Sequence, residues 1–309
     1  MTQTVNNPFF QSYNTPFVTP PFNEIKTEHY EPAFDKGIIQ LEKEIQEIAE
    51  NKQPATFENT IVALERSGKL LEKVSSAFFN VLNAEADDEM MDISQRVSPK
   101  LSESSNNIFL NEKLFARVKD VYEQKEQLNL STEDAKLLEE TFESFSIRGA
   151  NLSPEDKEKY RKLSTDLSVL TLTFDQNALK DKNRYELLLT EEKDLAGLPE
   201  SIREAATYRA KEKGKEGWLF NLSAPSYIPF MRYSALRPLR EAMYREYMSV
   251  GNKGDEYDNK EIIRRIVNIR LEIARLMGHN TYAEYSLKRT MAKTPTNVYK
   301  LLEIGRAHV

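Results

Sequence analysis

The chain has 309 residues, 39% of them hydrophobic and 30% charged, with 10 Gly, 13 Pro and no Cys. That balance excludes a disordered, fibrous or low-complexity protein, and the missing cysteine excludes disulfide scaffolds, thiolate-bound metals and thiol nucleophiles. With 43 basic against 49 acidic residues the net charge is −6, which argues against a nucleic-acid partner, whose phosphates require clustered Lys and Arg.

The start, MTQTVNNPFF, lacks the basic and apolar regions of a secretory signal. No apolar run approaches the ~18 residues of a membrane helix, so a cytoplasmic protein without membrane association is expected. Residues 1–26 carry Pro8, Pro16, Pro20 and Pro21 among Phe9, Phe10, Phe17 and Phe22. Proline removes a donor and disfavours helix at the residue before it, which predicts an extended arm whose aromatics lie on the body of the protein.

From Thr27 the pattern becomes helical. Phe34, Ile38, Leu41, Ile45 and Ile48 recur at helical spacing and define one apolar face. A second helix is expected from Phe57, capped by Thr56 with Asn59, with Ile61, Leu64, Leu71, Phe78 and Leu82 on one stripe. A third runs from about Asp88 through Ile93, Val97 and Leu101, and its Pro99 predicts a kink or break. A shorter helix follows over 114–127, and another from Ser131 to a left-handed cap at Gly149. Ser153-Pro154-Glu155-Asp156 is a strong helix start, continued by Leu163, Leu167, Leu170 and Phe174.

The segments RYELLLT, 184–190, and GWLFNL, 217–222, break that period and read as two short paired strands, with a helix over 199–213 between them. Helices resume from Ser226, over 237–248, over 259–277 and from Thr296. The fold class is therefore mainly α with one small two-stranded element.

Candidates for chemistry are few. The histidines are His29, His279 and His308, none followed by Glu and no two of them four apart, so the zinc helix H-E-x-x-H is absent. His29 reads as a capping residue and His279 as part of a helix-ending turn after Gly278. The acidic pairs Asp87/Asp88 and Asp255/Asp258 read as helix-start charge rather than cation ligands, and GNKG, 251–254, as an interhelical turn. The basic run Arg203, Lys211, Lys213, Lys215 alternates with glutamates and reads as a solvated helix face. Tyr227, Phe230, Tyr233, Tyr244 and Tyr247 could line a groove, but core packing is the expected role. No catalytic, cofactor-binding or metal-binding residue is assigned from these patterns. Two classes stay open: a helical binding or scaffold protein, and part of an enzyme whose catalytic residues lie elsewhere.

Several blocks then stand in a familiar order: NPFF near the start, PPFNEIKTEHYEPAF at 20–34, PATFENTIVALERSG at 54–68 and LNEKLFARV at 110–118. They continue with EGWLFNLSAPSYIPFMRYS at 216–234, RPLREAMYREY at 237–247 and IRLEIARLMGHNTYAEYSLKRTMAKTP at 269–295. Over residues 7 to about 302 the chain resembles the zinc metallopeptidase family that includes thimet oligopeptidase and peptidyl-dipeptidase Dcp, most of all its Dcp-like members.

The resemblance implies a nearly all-helical enzyme split by a channel, with a zinc-bearing H-E-x-x-H helix, and release of C-terminal dipeptides from short peptides by a monomer. It also implies that the zinc ligands lie beyond this chain, so that the chain alone is inactive. The expected organisation is an arm over 1–26, a helical domain over 27–225 and the start of the peptidase module over 226–303. The last residues, IGRAHV at 304–309, resemble a translated sequencing adapter and are expected to be non-native.

Overall fold

A computed structural model of the chain describes residues 7–85 and 87–306. It is mainly α, and its contacts divide it into a first unit, 1–169 with 268–309, and a second unit, 170–267. No helix among the described residues is long and apolar enough to cross a membrane.

In the first unit the arm forms single turns at Pro8–Phe10 and Pro16–Val18. Only part of it lies on the body: Phe9 is buried against Tyr30, with ring centroids 5.4 Å apart, whereas Phe17 is fully open to solvent. The difference follows from tethering, since Lys73 donates to the carbonyls of Phe9 and Gln11 and no such anchor is seen at Phe17 among the described residues. Helix α1, Tyr30–Ala49, buries Phe34, Ile45 and Ile48, and leaves Ile38 and Leu41 partly covered.

The long second helix expected from Phe57 is two elements. Thr56 and Asn59 exchange cap hydrogen bonds as anticipated. The segment then forms a π turn, Phe57–Val62, and one α turn, Ala63–Glu65 (α2), before Gly68 ends it at φ +73°. Gly68 donates to the Glu44 carboxylate, and α3, Lys69–Glu85, starts afresh. The break lets α3 lie directly on α1, where a Cβ at Gly37 would stand 3.0 Å from the Leu71 Cα. Phe34 and Phe78 meet edge to face there, with Tyr30, Val74 and Val97 completing the core.

Helix α4, Asp88–Phe109, passes through Pro99 unbroken. Burial of Val97 anchors the helix beside the proline, and the more exposed Arg96–Glu31 and Lys100–Asp35 pairs add little. Helices α5, Glu112–Glu123, and α6, Thr132–Ile147, enclose a second core around Phe57, Leu114, Phe115, Leu138 and Phe145. Gly149 closes α6 at φ +92°, and Ser153 caps α7, Pro154–Arg184, as read from the sequence.

The second unit holds the sheet. Strands β1, Leu187–Leu189, and β2, Trp218–Phe220, pair antiparallel with Leu188 opposite Leu219, and α8, Glu200–Glu212, lies between them in sequence. Its core joins Leu189, Leu195, Phe220 and Leu222 to Phe230 of α9, Ala224–Tyr233, and Met243 of α10, Arg237–Met248. Helix α11, Lys260–Leu276, then leads back toward the first unit's residues, followed by α12, Tyr282–Leu287, and α13, Pro295–Arg306. Helix α12 was not anticipated, although Thr281 and Glu284 form the reciprocal cap that marks its start.

Candidate functional site

The residues singled out from the sequence resolve into structural roles. His29 is buried, and its Nδ1 accepts the Lys26 backbone N–H at 3.0 Å, which is the capping task expected of it. Asp87 caps α4 by accepting from the Met90 N–H. Asp258 accepts from the Gly254 and Lys260 amides, and these bonds with the Lys260 ammonium hold its carboxyl below the usual range. Asp255 pairs with Arg184, which lowers its pKa in the same way. In the GNKG turn, the Gly251 amide donates to Asp181, a fully buried carboxylate that also meets Arg184 and Lys253. His308 lies outside the described residues.

Two of those readings need correction. Lys211 and Lys213 are exposed as expected, but Arg203 is not a solvated charge: its guanidinium donates to the Leu198 and Leu195 carbonyls, and Lys213 and Lys215 pair with Glu186. The loop before α8 leaves carbonyls without strand or helix partners, and a long cation at the helix start reaches them. In the aromatic group only Phe230 is core, while Tyr233, Tyr244 and Tyr247 are exposed. Helix α10 turns Met243 inward, and Tyr244, Tyr247 and Met248 lie outside that narrow stripe, with Tyr247 stacked on Tyr227 at 4.1 Å.

Among the described residues a cleft of about 690 Å³ opens within the first unit. One wall is the end of α6 and the turn after it. Gly149 sits there because its φ of +92° suits glycine and because a Cβ would come within 2.9 Å of the Leu152 side chain. Phe142, stacked on Tyr122 at 4.0 Å, and Met277 at the end of α11 supply apolar surface.

Polar groups converge on the same space. His279 lies on the wall with its ring 5.9 Å from that of Tyr285, and its backbone N–H donates to the Ala274 carbonyl, closing the α11 turn. The Tyr285 hydroxyl donates to the Ile147 carbonyl at 2.9 Å. Burial, with Tyr160 beside it, pushes its phenol above the usual range. The Ser146 hydroxyl is buried without a hydrogen-bond partner among the described residues. Lys288, Arg289 and Lys293 bring cations to the rim, and Arg289 is held by Glu140 and by Ser144 at 3.0 Å.

Sequence reasoning placed His279 in its turn but did not bring Phe142, Ser146, Lys288 or Lys293 together with it. They come from α6 and from the segment after α11, far apart in the chain and without a repeating interval. The only local signal was the Thr281 and Glu284 cap, which fixes where the α12 residues point. Among the described residues no group of three or more His, Asp or Glu side chains could hold a metal ion. The described side chains therefore do not fit a catalytic zinc, and no reaction step is assigned to them.

Residues 230–308 match the model of peptidase family M3, and the chain is related to that family of peptidases. Over 293 residues the chain is 37% identical to the dipeptidyl carboxypeptidase of Escherichia coli K12, covering 94% of this chain and 43% of that protein. It is 34% identical to oligopeptidase A of Haemophilus influenzae, over 92% of this chain and 42% of that protein. An organellar oligopeptidase A of Arabidopsis thaliana is 30% identical over 96% of the chain and 38% of its own length. The chain thus spans less than half the length of each of these relatives.

Proposed function

We propose that this chain is the N-terminal part of a zinc-dependent metallopeptidase that cleaves short peptides and releases C-terminal dipeptides. The observation that carries this reading is the 37% identity to a dipeptidyl carboxypeptidase across 94% of the chain. The arm over 1–26 and the helical domain over 27–225 would precede the peptidase module, whose start near 226 is supported by a family match beginning at residue 230. In this reading the zinc ligands are supplied by sequence outside the chain, which holds no H-E-x-x-H. The parent acts in the cytoplasm as a monomer on peptides, without a nucleic-acid or membrane partner. The 309-residue chain by itself is inactive, and residues 304–309 are not native to it. Chelator-sensitive dipeptide release by the purified chain supplied with zinc would refute the inactivity.

A second reading, a non-catalytic helical binding protein built on the same fold, is favoured by the absence of the zinc motif from the sequence. The genomic reading frame separates the two, since an H-E-x-x-H downstream in frame supports the peptidase and excludes the scaffold.

A further inference from the structure

We propose that the tip of the N-terminal arm, Phe17 with Val18, is a docking finger that inserts into an apolar pocket on the part of the protein that follows residue 309. The existence of that part rests on the reading of this chain as the N-terminal piece of a longer peptidase. The shape of the finger rests on the first unit alone.

The finger is exposed, yet its base is fixed. Phe17 is 98% exposed and Val18 68%. Before the tip, Phe9 is buried and Lys73 holds the Phe9 and Gln11 carbonyls. After it, Pro21 is buried and Ile25 packs on the core around Phe34 and Phe78. Between these anchors the Val18 N–H donates to the Thr15 carbonyl at 3.0 Å, and the Thr19 hydroxyl donates to the Pro16 carbonyl at 3.0 Å. The Thr15 hydroxyl closes the loop by donating to the Thr19 carbonyl.

Backbone strain marks the same two residues. Phe17 and Val18 both stand at φ +57°, a region that is costly for a bulky side chain and most costly for a β-branched one. A turn that only reversed the chain in water would carry Gly, Asn or Asp there at little cost. Holding a phenyl ring and a valine outward in this geometry prepays the ordering cost of inserting them into a partner surface.

Size selects the occupant. A buried aromatic side chain contributes about 150–250 Å², far short of the ~1,000 Å² that a stable interface between separate molecules requires. A second copy or a free partner therefore gains too little from this tip. The same small contact suffices when both sides belong to one chain, because the tether raises the effective concentration to the millimolar range. The chain covers 43% of the Escherichia coli dipeptidyl carboxypeptidase, so on the peptidase reading more than half of the protein follows residue 309 and can supply the pocket.

The test is hydroxyl-radical footprinting, read by mass spectrometry, of the 309-residue chain and of the product of the complete genomic frame. Phe17 should be oxidised freely in the short chain and about ten- to hundredfold more slowly in the full product, the equilibrium worth of burying one phenyl ring. Phe17→Asp should speed proteinase K cleavage of the arm by a similar factor in the full product and leave it unchanged in the short chain, where the ring is open to solvent. Aspartate tolerates the left-handed backbone, so the turn itself survives the substitution. Equal oxidation of Phe17 in the two proteins, protection that varies with protein concentration, or an unchanged cleavage rate in the full-length variant would overturn the proposal. The zinc motif is read separately: H-E-x-x-H with a reactive Phe17 defeats the docking alone, and a protected Phe17 without H-E-x-x-H defeats the peptidase reading alone.

Discussion

Replacing Arg117 with Met should lower the stability of the first unit by about 3 kcal/mol, because one buried guanidinium closes the 51–60 segment onto α5. Arg117 is 8% exposed, and its terminal nitrogens donate to the Asn51 carbonyl at 2.8 Å, the Gln53 carbonyl at 2.9 Å, Asn59 Oδ1 at 2.8 Å and Thr60 Oγ1 at 3.2 Å. A hydrogen bond from a charged donor contributes about 1.5–3 kcal/mol. The Asn51 and Gln53 carbonyls lie near solvent and rehydrate when the arginine is removed, so only the bonds to Asn59 and to fully buried Thr60 are counted in full. Two such bonds give about 3–6 kcal/mol, from which relief of the unpaired Nε–H and the burial of the methionine chain subtract roughly 1–2. For a unit of this size the loss corresponds to a melting temperature lower by about 6–12 °C.

Urea unfolding followed by far-ultraviolet circular dichroism measures this directly. Arg117→Lys should recover only part of the loss, since an ammonium cannot reach both pairs of acceptors at once. All four acceptors are neutral, so raising the salt should leave the difference unchanged. A loss below about 1 kcal/mol, full recovery by lysine, or a strong salt dependence would refute the reasoning.

Gly217→Ala should destabilise the second unit by about 2–4 kcal/mol, as seen by local hydrogen exchange in β1 and β2, because φ is +110° and the new Cβ would stand 2.4 Å from the Leu189 carbonyl oxygen. The lowered pKa of Asp258 means that its contribution to stability is complete above the usual Asp value of 3.8 and is lost as the pH falls through the lower folded value. The protection factors of the Gly254 and Lys260 amides, corrected for the intrinsic pH dependence of exchange, should therefore fall only at acid pH, and a fall at neutral pH would contradict the assignment. Val267, Leu301 and Leu302 are exposed apolar residues, so the isolated chain should self-associate in sedimentation experiments, and lysine at these positions should reduce the association.

The helices were legible wherever a cap and a steady period agreed. Ser131, Ser153 and Thr56 each accept or exchange the bond their position requires, and the strand pair falls where the helical period fails. What escaped was decided by contacts distant in sequence. The apolar stripe from Ile61 to Leu82 continues across Gly68, yet the chain breaks there because Glu44 captures the glycine amide and Gly37 admits α3 onto α1. Pro99 carries a local signal for a kink or break, yet α4 continues through it beside the fully buried Val97. Tyr244 and Tyr247 looked like core because composition cannot tell which side of α10 faces inward. The cleft was hidden for the same reason: Phe142, Met277 and His279 line one space only once α6 and the segment after α11 are in place. The relationship to peptidases, by contrast, lay in long blocks of residues rather than in any catalytic pattern.

The most direct test of the account is dipeptide release by the protein translated from the complete genomic frame that contains this sequence. The account predicts an H-E-x-x-H downstream and release of C-terminal dipeptides from short peptides, abolished by a chelator and restored by zinc. A frame that carries no such motif, or a full product that leaves short peptides intact with zinc supplied, would contradict it.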